Sequence, residues 1–147
     1  MEKLKSVEQI IDFAIKKEQA SHDFYIDLSK KAHSEEMKQT SLEFAEQELV
    51  HRKKLEAIKA GEIKLDEEEI GDLGIADTIA EVWVYSEMKY RELLVLAMKR
   101  ELQAFKLYCA LAKMTQNEEM KKTFLLLAQE EENHRLKVEL EYDLATF

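Results

Sequence analysis

The chain has 147 residues, a formal net charge of −9, no proline, three glycines and one cysteine. That size suits one domain with a real core, and the acidity argues against non-specific nucleic-acid binding and against attachment to an acidic membrane surface. A lone Cys109 excludes an internal disulfide and fits a reducing cytoplasm, no apolar run approaches the roughly 20 residues of a membrane span, and the opening MEKLKSVEQI lacks a signal peptide's apolar core.

The chain is rich in Glu, Lys, Leu and Ala and has no alternating Val/Ile/Thr runs, which predicts an all-α protein. The first helix starts after Ser6, where SVEQ fits a capping box, and runs to about Ala32. Ser34 caps a second helix that runs to about Ala60. All three glycines, Gly61, Gly71 and Gly74, fall in GEIKLDEEEIGDLG, the natural break in the helical pattern. Residues 61–88 therefore read as one long connection. A capping box at Thr78–Glu81 opens either a separate crossover helix or the first turns of the third helix. The third helix ends near Lys113, Asn117 caps the fourth, and the fourth runs to about Asp143. Residues 1–147 thus form a single domain of two helix pairs, about 7–60 and about 89–143.

The two pairs repeat each other. A gapless slide of 83 residues carries Ala14 onto Ala97, Glu18 onto Glu101 and Tyr25 onto Tyr108. It also carries EEMK at 35–38 onto EEMK at 118–121, Ala45 onto Ala128, Glu48 onto Glu131, and His51–Arg52 onto His134–Arg135. Shared helical composition does not produce such a register by itself.

Counting in helical steps places one glutamate in the middle of each apolar seam: Glu18, Glu48, Glu101 and Glu131. The second and fourth seams add a histidine three residues on, His51 and His134, on the same face. A single seam glutamate is usually bent outward or paired, and a single ExxH arises often by chance. Here both motifs lie on seams, are related by the repeat, and have no lysine or arginine on the four seams to neutralise them. Burying an unpaired carboxylate costs several kcal/mol even after relaxation. Two divalent cations would balance four carboxylates and two neutral imidazoles. This donor set suits iron or manganese, and zinc also fits. Carboxylates that bridge would leave coordination positions open for O2, hydrogen peroxide or water.

The order E…ExxH…E…ExxH resembles the ferritin-like di-iron carboxylate superfamily over about residues 7–143, and within it the rubrerythrin family. The resemblance implies a ferritin-like four-helix bundle in which Glu18 and Glu101 are terminal ligands, Glu48 and Glu131 bridge two metals, and His51 and His134 bind one each. A connection of that length lets the second and third helices run parallel, giving an up-down-down-up bundle with an internal pseudo-twofold axis. The resemblance further implies redox chemistry on O2 or hydrogen peroxide. Ferroxidase or iron-storage work, and a metal-stabilised bundle without catalysis, are the alternatives. Two features depart from the family. Rubrerythrins carry a further glutamate three residues after the third-helix ligand, where this chain has Ala104, and they usually carry a rubredoxin domain with two Cys pairs. Electrons would then come from a separate donor protein such as a rubredoxin, and a homodimer is the expected assembly.

Tyr25 and Tyr108 lie two turns beyond Glu18 and Glu101 and lean back toward them. Each either orients a ligand carboxylate from the opposite side or is a core tyrosine satisfied elsewhere. His22 and His33 have no counterpart in the repeat and read as surface or turn residues, and Cys109 as packing. Trp83 packs the crossover over the bundle or sits in a dimer contact, and DEEE at 66–69 is a solvated loop. Glu130 and Glu132 point off the seam.

Overall fold

Helices with one apolar stripe each can bury that stripe only against one another. The computed structural model describes residues 7–61 and 89–146, which form four α-helices and no strand. They are α1 (Val7–Lys31), α2 (Glu35–Lys59), α3 (Tyr90–Met114) and α4 (Glu118–Thr146). The 25-residue helices α1, α2 and α3 are each about 37 Å long at the usual rise. The capping boxes at Ser6 and Thr78, together with Gly71, Gly74, Trp83 and the charge run at 66–69, lie outside the described residues.

Local chemistry sets the ends of the helices. Ser34 adopts an extended backbone and its Oγ accepts from the Met37 amide at 3.1 Å. Asn117 does the same for α4, its Oδ1 accepting from the Met120 amide at 3.0 Å. Ser34 and Asn117 are 83 residues apart, so the repeat extends to the caps. Helix α2 ends at Lys59 with Ala60 as its C-terminal cap, and Gly61 follows at φ +82, the left-handed conformation that glycine adopts without cost. Helix α4 runs to Thr146, three residues beyond the Asp143 that the sequence pattern marks as its end. Near that end the Tyr90 hydroxyl donates to Glu141 at 2.9 Å and ties the last turns to α3.

Side-chain pairs fix the helix directions. Lys59 near the end of α2 pairs with Asp12 near the start of α1 at 2.5 Å, so α1 and α2 are antiparallel. Tyr25 reaches Glu101 while Tyr108 reaches Glu18, so α1 and α3 are antiparallel as well. His51 meets Glu130 while His134 meets Gln47, which sets α2 against α4. Helices α2 and α3 therefore run the same way, and the bundle is up-down-down-up.

The core is divided. One apolar cluster gathers Ile10, Ile11, Leu55, Leu111, Met120 and Phe124 at the end of the bundle where α1 starts. A second gathers Phe24, Leu28, Met37, Phe44, Leu94 and Val138 toward the other end. Each large side chain buried this way contributes about 1.5–3 kcal/mol. Between the two clusters lies a layer of buried carboxylates and imidazoles, held in place by apolar packing above and below. Among the described residues no helix is long and apolar enough to cross a membrane.

Candidate metal centre

Glu18, Glu48, His51, Glu101, Glu131 and His134 are all 3% exposed or less, so solvent cannot satisfy their polar atoms. The structure brings all six into the layer between the apolar clusters. Their donor atoms form two groups, each within 4.8 Å: Glu18, Glu48, His51 and Glu131, and Glu48, Glu101, Glu131 and His134. Glu48 and Glu131 belong to both.

The ring nitrogens divide their work. Nδ1 of His51 lies 2.7 Å from Glu131 Oε1 and 3.6 Å from Glu18 Oε2 and Glu48 Oε1. Nδ1 of His134 lies 3.3 Å from Glu48 Oε1 and 3.6 Å from Glu101 Oε1. Nε2 of each ring turns outward, His51 to a Glu130 oxygen and His134 to the Gln47 side-chain oxygen. The two rings are nearly parallel, at 12°, with centroids 6.4 Å apart. Phe44 stacks on His134 at 4.0 Å.

Buried polar atoms in proteins are nearly always paired. Here Glu18 Oε2, Glu48 Oε1, Glu101 Oε2, both Glu131 oxygens and both Nδ1 atoms have no hydrogen-bond partner. Even the 2.7 Å approach of His51 to Glu131 lacks hydrogen-bond alignment. All these atoms face one another, and once deprotonated each can give a lone pair to a metal. That is the donor set of a divalent transition metal, and it fits a pair of metals that share Glu48 and Glu131.

With only the protein's own groups present, the electrostatics are tense. Burial pushes the Glu48 carboxyl well above its ordinary value, and the charges of Glu18 and Glu101 push it further. Burial does the same to Glu131, reinforced by Glu101, Glu48 and Glu18. Burial would lower the His51 imidazole, but the carboxylates of Glu131 and Glu18 outweigh it and lift it to about 10. Glu101 goes the other way: burial alone would raise it, and contacts with Glu131, His134 and Tyr25 together bring it below the usual range.

Tyr25 donates its hydroxyl hydrogen bond to Glu101, and Tyr108 donates its own to Glu18. Each tyrosine thus serves the glutamate of the other helix. Burial first, and the neighbouring carboxylates second, hold both phenols well above their ordinary value, so both keep their protons.

The sequence model of the rubrerythrin family matches residues 92–142, a span that contains Glu101, Glu131 and His134. A Thermotoga maritima protein classed as ferritin-like diiron-carboxylate has a similar structure, with a TM-score of 0.81 at 24% identity over 100% of this chain and 99% of that one. The fold is ferritin-like, and residues 92–142 resemble rubrerythrin. A hypothetical protein from Pyrococcus furiosus is also similar, with a TM-score of 0.73 at 26% identity over 93% of this chain and 88% of that one. No curated protein matches it in sequence.

Measured against the rubrerythrin pattern, Ala104 lines a cavity of about 20 Å³ beside Glu18, Ser21, Arg100 and Tyr108, room for one water molecule. Three residues of this centre are not apparent from seam counting. Gln47 and Glu130 sit four residues before His51 and His134, off the seam, yet reach across α2 and α4 to the opposite imidazole. Glu130 in particular turns toward the histidine, not only outward, because the His51 Nε2 reaches it in the cleft between α2 and α4. Arg100 brings a cation near the carboxylates without occupying a seam. It lies off the seam beside Glu101, half-buried, donates to Ser21 at 3.2 Å and covers the Phe24 ring at 5.1 Å. Its charge acts on Glu101, Glu48 and Glu18.

The remaining candidates lie away from the centre. His22 contacts Asp23 at 3.0 Å, and exposed His33 packs on Tyr90 at 4.2 Å. Cys109 packs against the first apolar cluster, and burial raises its thiol.

Proposed function

We propose that this protein is a di-iron oxidoreductase acting on O2 or hydrogen peroxide, with electrons returned by a separate donor such as a rubredoxin. The observation that carries the reading is the pair of donor groups sharing Glu48 and Glu131, whose inward atoms have no partner within the protein. The rubrerythrin match and the diiron-carboxylate classification of the Thermotoga maritima structure support iron over zinc.

Glu18 and His51 would hold one metal, Glu101 and His134 the other, and Glu48 and Glu131 would bridge. Two ferrous ions held by these residues would supply the two electrons that, with two protons, take peroxide to two waters. The protein's own residues do the rest. The apolar clusters above and below exclude bulk water and keep the carboxylates in one geometry. Tyr25 and Tyr108 orient Glu101 and Glu18 from opposite sides and keep one oxygen of each occupied, so the other faces the metals. Protons at the centre can be exchanged through the cleft of about 410 Å³ between α2 and α4, onto which both histidines border.

Anaerobic loading with Fe(II), then exposure to O2 or peroxide, tests this reading. We expect about two irons per chain and the growth of ferric absorbance. Iron content that survives both Glu48→Ala and Glu131→Ala, or a loaded protein with no absorbance change, would refute it.

A further inference from the structure

We propose that Glu130 and Gln47 make the two halves of the centre unequal, so that the half built on His51 binds a divalent transition metal more tightly than the half built on His134. The inference rests on the dinuclear reading above and adds an order to it.

Gln47 and Glu130 are equivalent positions of the internal repeat, 83 residues apart. Both precede a histidine by one turn, and each reaches across to the histidine of the other helix. The geometry is therefore symmetric and the chemistry is not. His51 leans on a carboxylate, His134 on an amide.

The difference acts in two ways. A carboxylate carries a formal negative charge, and a ring N–H donating to it makes the opposite nitrogen a better lone-pair donor. The partner also fixes the tautomer. A carboxylate can only accept, so His51 must carry a proton on Nε2, which leaves Nδ1, beside Glu18, Glu48 and Glu131, as the nitrogen that would give up its proton to a metal. An amide can accept through its oxygen or, rotated by half a turn, donate through its nitrogen. Gln47 thus leaves His134 two tautomers, and only one of them offers Nδ1 to a metal.

Nearby charges do not cancel this asymmetry. The cleft beside the histidines also contains Lys54 and Lys137, themselves repeat equivalents, so one lysine accompanies each half. Glu130 is 34% exposed, and solvent screens part of its charge. The effect then belongs at the lower end of the 10- to 100-fold range usual for partners of metal-bound histidine, about tenfold.

The test isolates each half. His134→Ala leaves the His51 half, and His51→Ala leaves the His134 half. Co(II) affinity of each is measured in the full-length chain by competition with a chromophoric chelator. We expect the His134→Ala chain to bind Co(II) about tenfold more tightly than the His51→Ala chain. Adding Glu130→Gln should remove that advantage in the first chain and leave the second unchanged. Equal affinities, or an advantage that survives Glu130→Gln, would overturn the inference while leaving the dinuclear reading intact. Should either alanine variant fail to fold, the unsubstituted chain gives the answer. One equivalent of diamagnetic Zn(II) should shift the His51 ring resonances before those of His134, and simultaneous or reversed shifts would overturn the proposal. Absence of Co(II) uptake by the unsubstituted chain would overturn the dinuclear reading itself, and this inference with it.

Discussion

Tyr25 and Tyr108 are each 1% exposed, so each hydroxyl must find its acceptor inside the protein. Both find a carboxylate that belongs to the candidate centre, and neither can be replaced by solvent. Tyr25→Phe would leave Glu101 Oε1 without its donor and free the carboxylate to turn. We expect metal affinity to fall about tenfold or more, with helix content unchanged, and Tyr108→Phe to do the same through Glu18. A chelator competition titration measures both, and unchanged affinity would show that the tyrosines only fill space. The sequence displays the six seam residues readily, because a carboxylate at an apolar repeat position is conspicuous. Gln47, Glu130 and Arg100 are different. A polar residue one step off the seam is what any surface would carry, and only a partner on a facing helix turns it inward.

At the scale of the helix, the caps carry a separable part of the stability. Ser34 and Asn117 each satisfy one amide that the helix itself cannot, at 3.1 and 3.0 Å. Ser34→Ala and Asn117→Ala should each cost about 1 kcal/mol, read from the midpoint of denaturant unfolding with the slope unchanged. Equal costs would also show that the two helix pairs are energetically alike away from the centre. The positions of these helices are legible in the sequence because caps and apolar period agree. Their ends are less so: α4 continues past Asp143 where Tyr90 of α3 holds Glu141. That tertiary contact has no sequence signal.

For the whole molecule, the carboxylate layer between two apolar clusters couples stability to pH and to metal. Glu48 and Glu131 are raised above the ordinary carboxylate range, so the folded metal-free chain holds protons there more firmly than the unfolded chain does. Their contribution is complete below the unfolded value and is lost as pH rises through the folded values. His51 has the same sign, with its contribution lost as pH rises through about 10. Glu101 opposes them, its share being present above the ordinary carboxylate value and lost as pH falls below it. Above the ordinary carboxylate value Glu101 is ionised in both states, so only the raised groups change there. The metal-free chain should therefore lose thermal stability as pH rises from the ordinary carboxylate value toward about pH 10, where His51 gives up its proton. Metal displaces the same protons, so the gap in unfolding temperature between loaded and stripped protein should widen over that interval. A gap independent of pH would contradict this account. The up-down-down-up arrangement is legible in advance because the internal repeat and one long connection leave few other ways to bring four seams together.

The repeat also bears on how such a centre can change. Two identical helix pairs assembling as separate chains would have to carry every substitution twice, once in each copy. Joined in one chain, the copies become independently variable, and one position can hold an amide while its twin holds an acid. Covalent fusion thus gives the molecule a freedom that a symmetric assembly lacks: adjusting one half of a shared centre while the other is held constant.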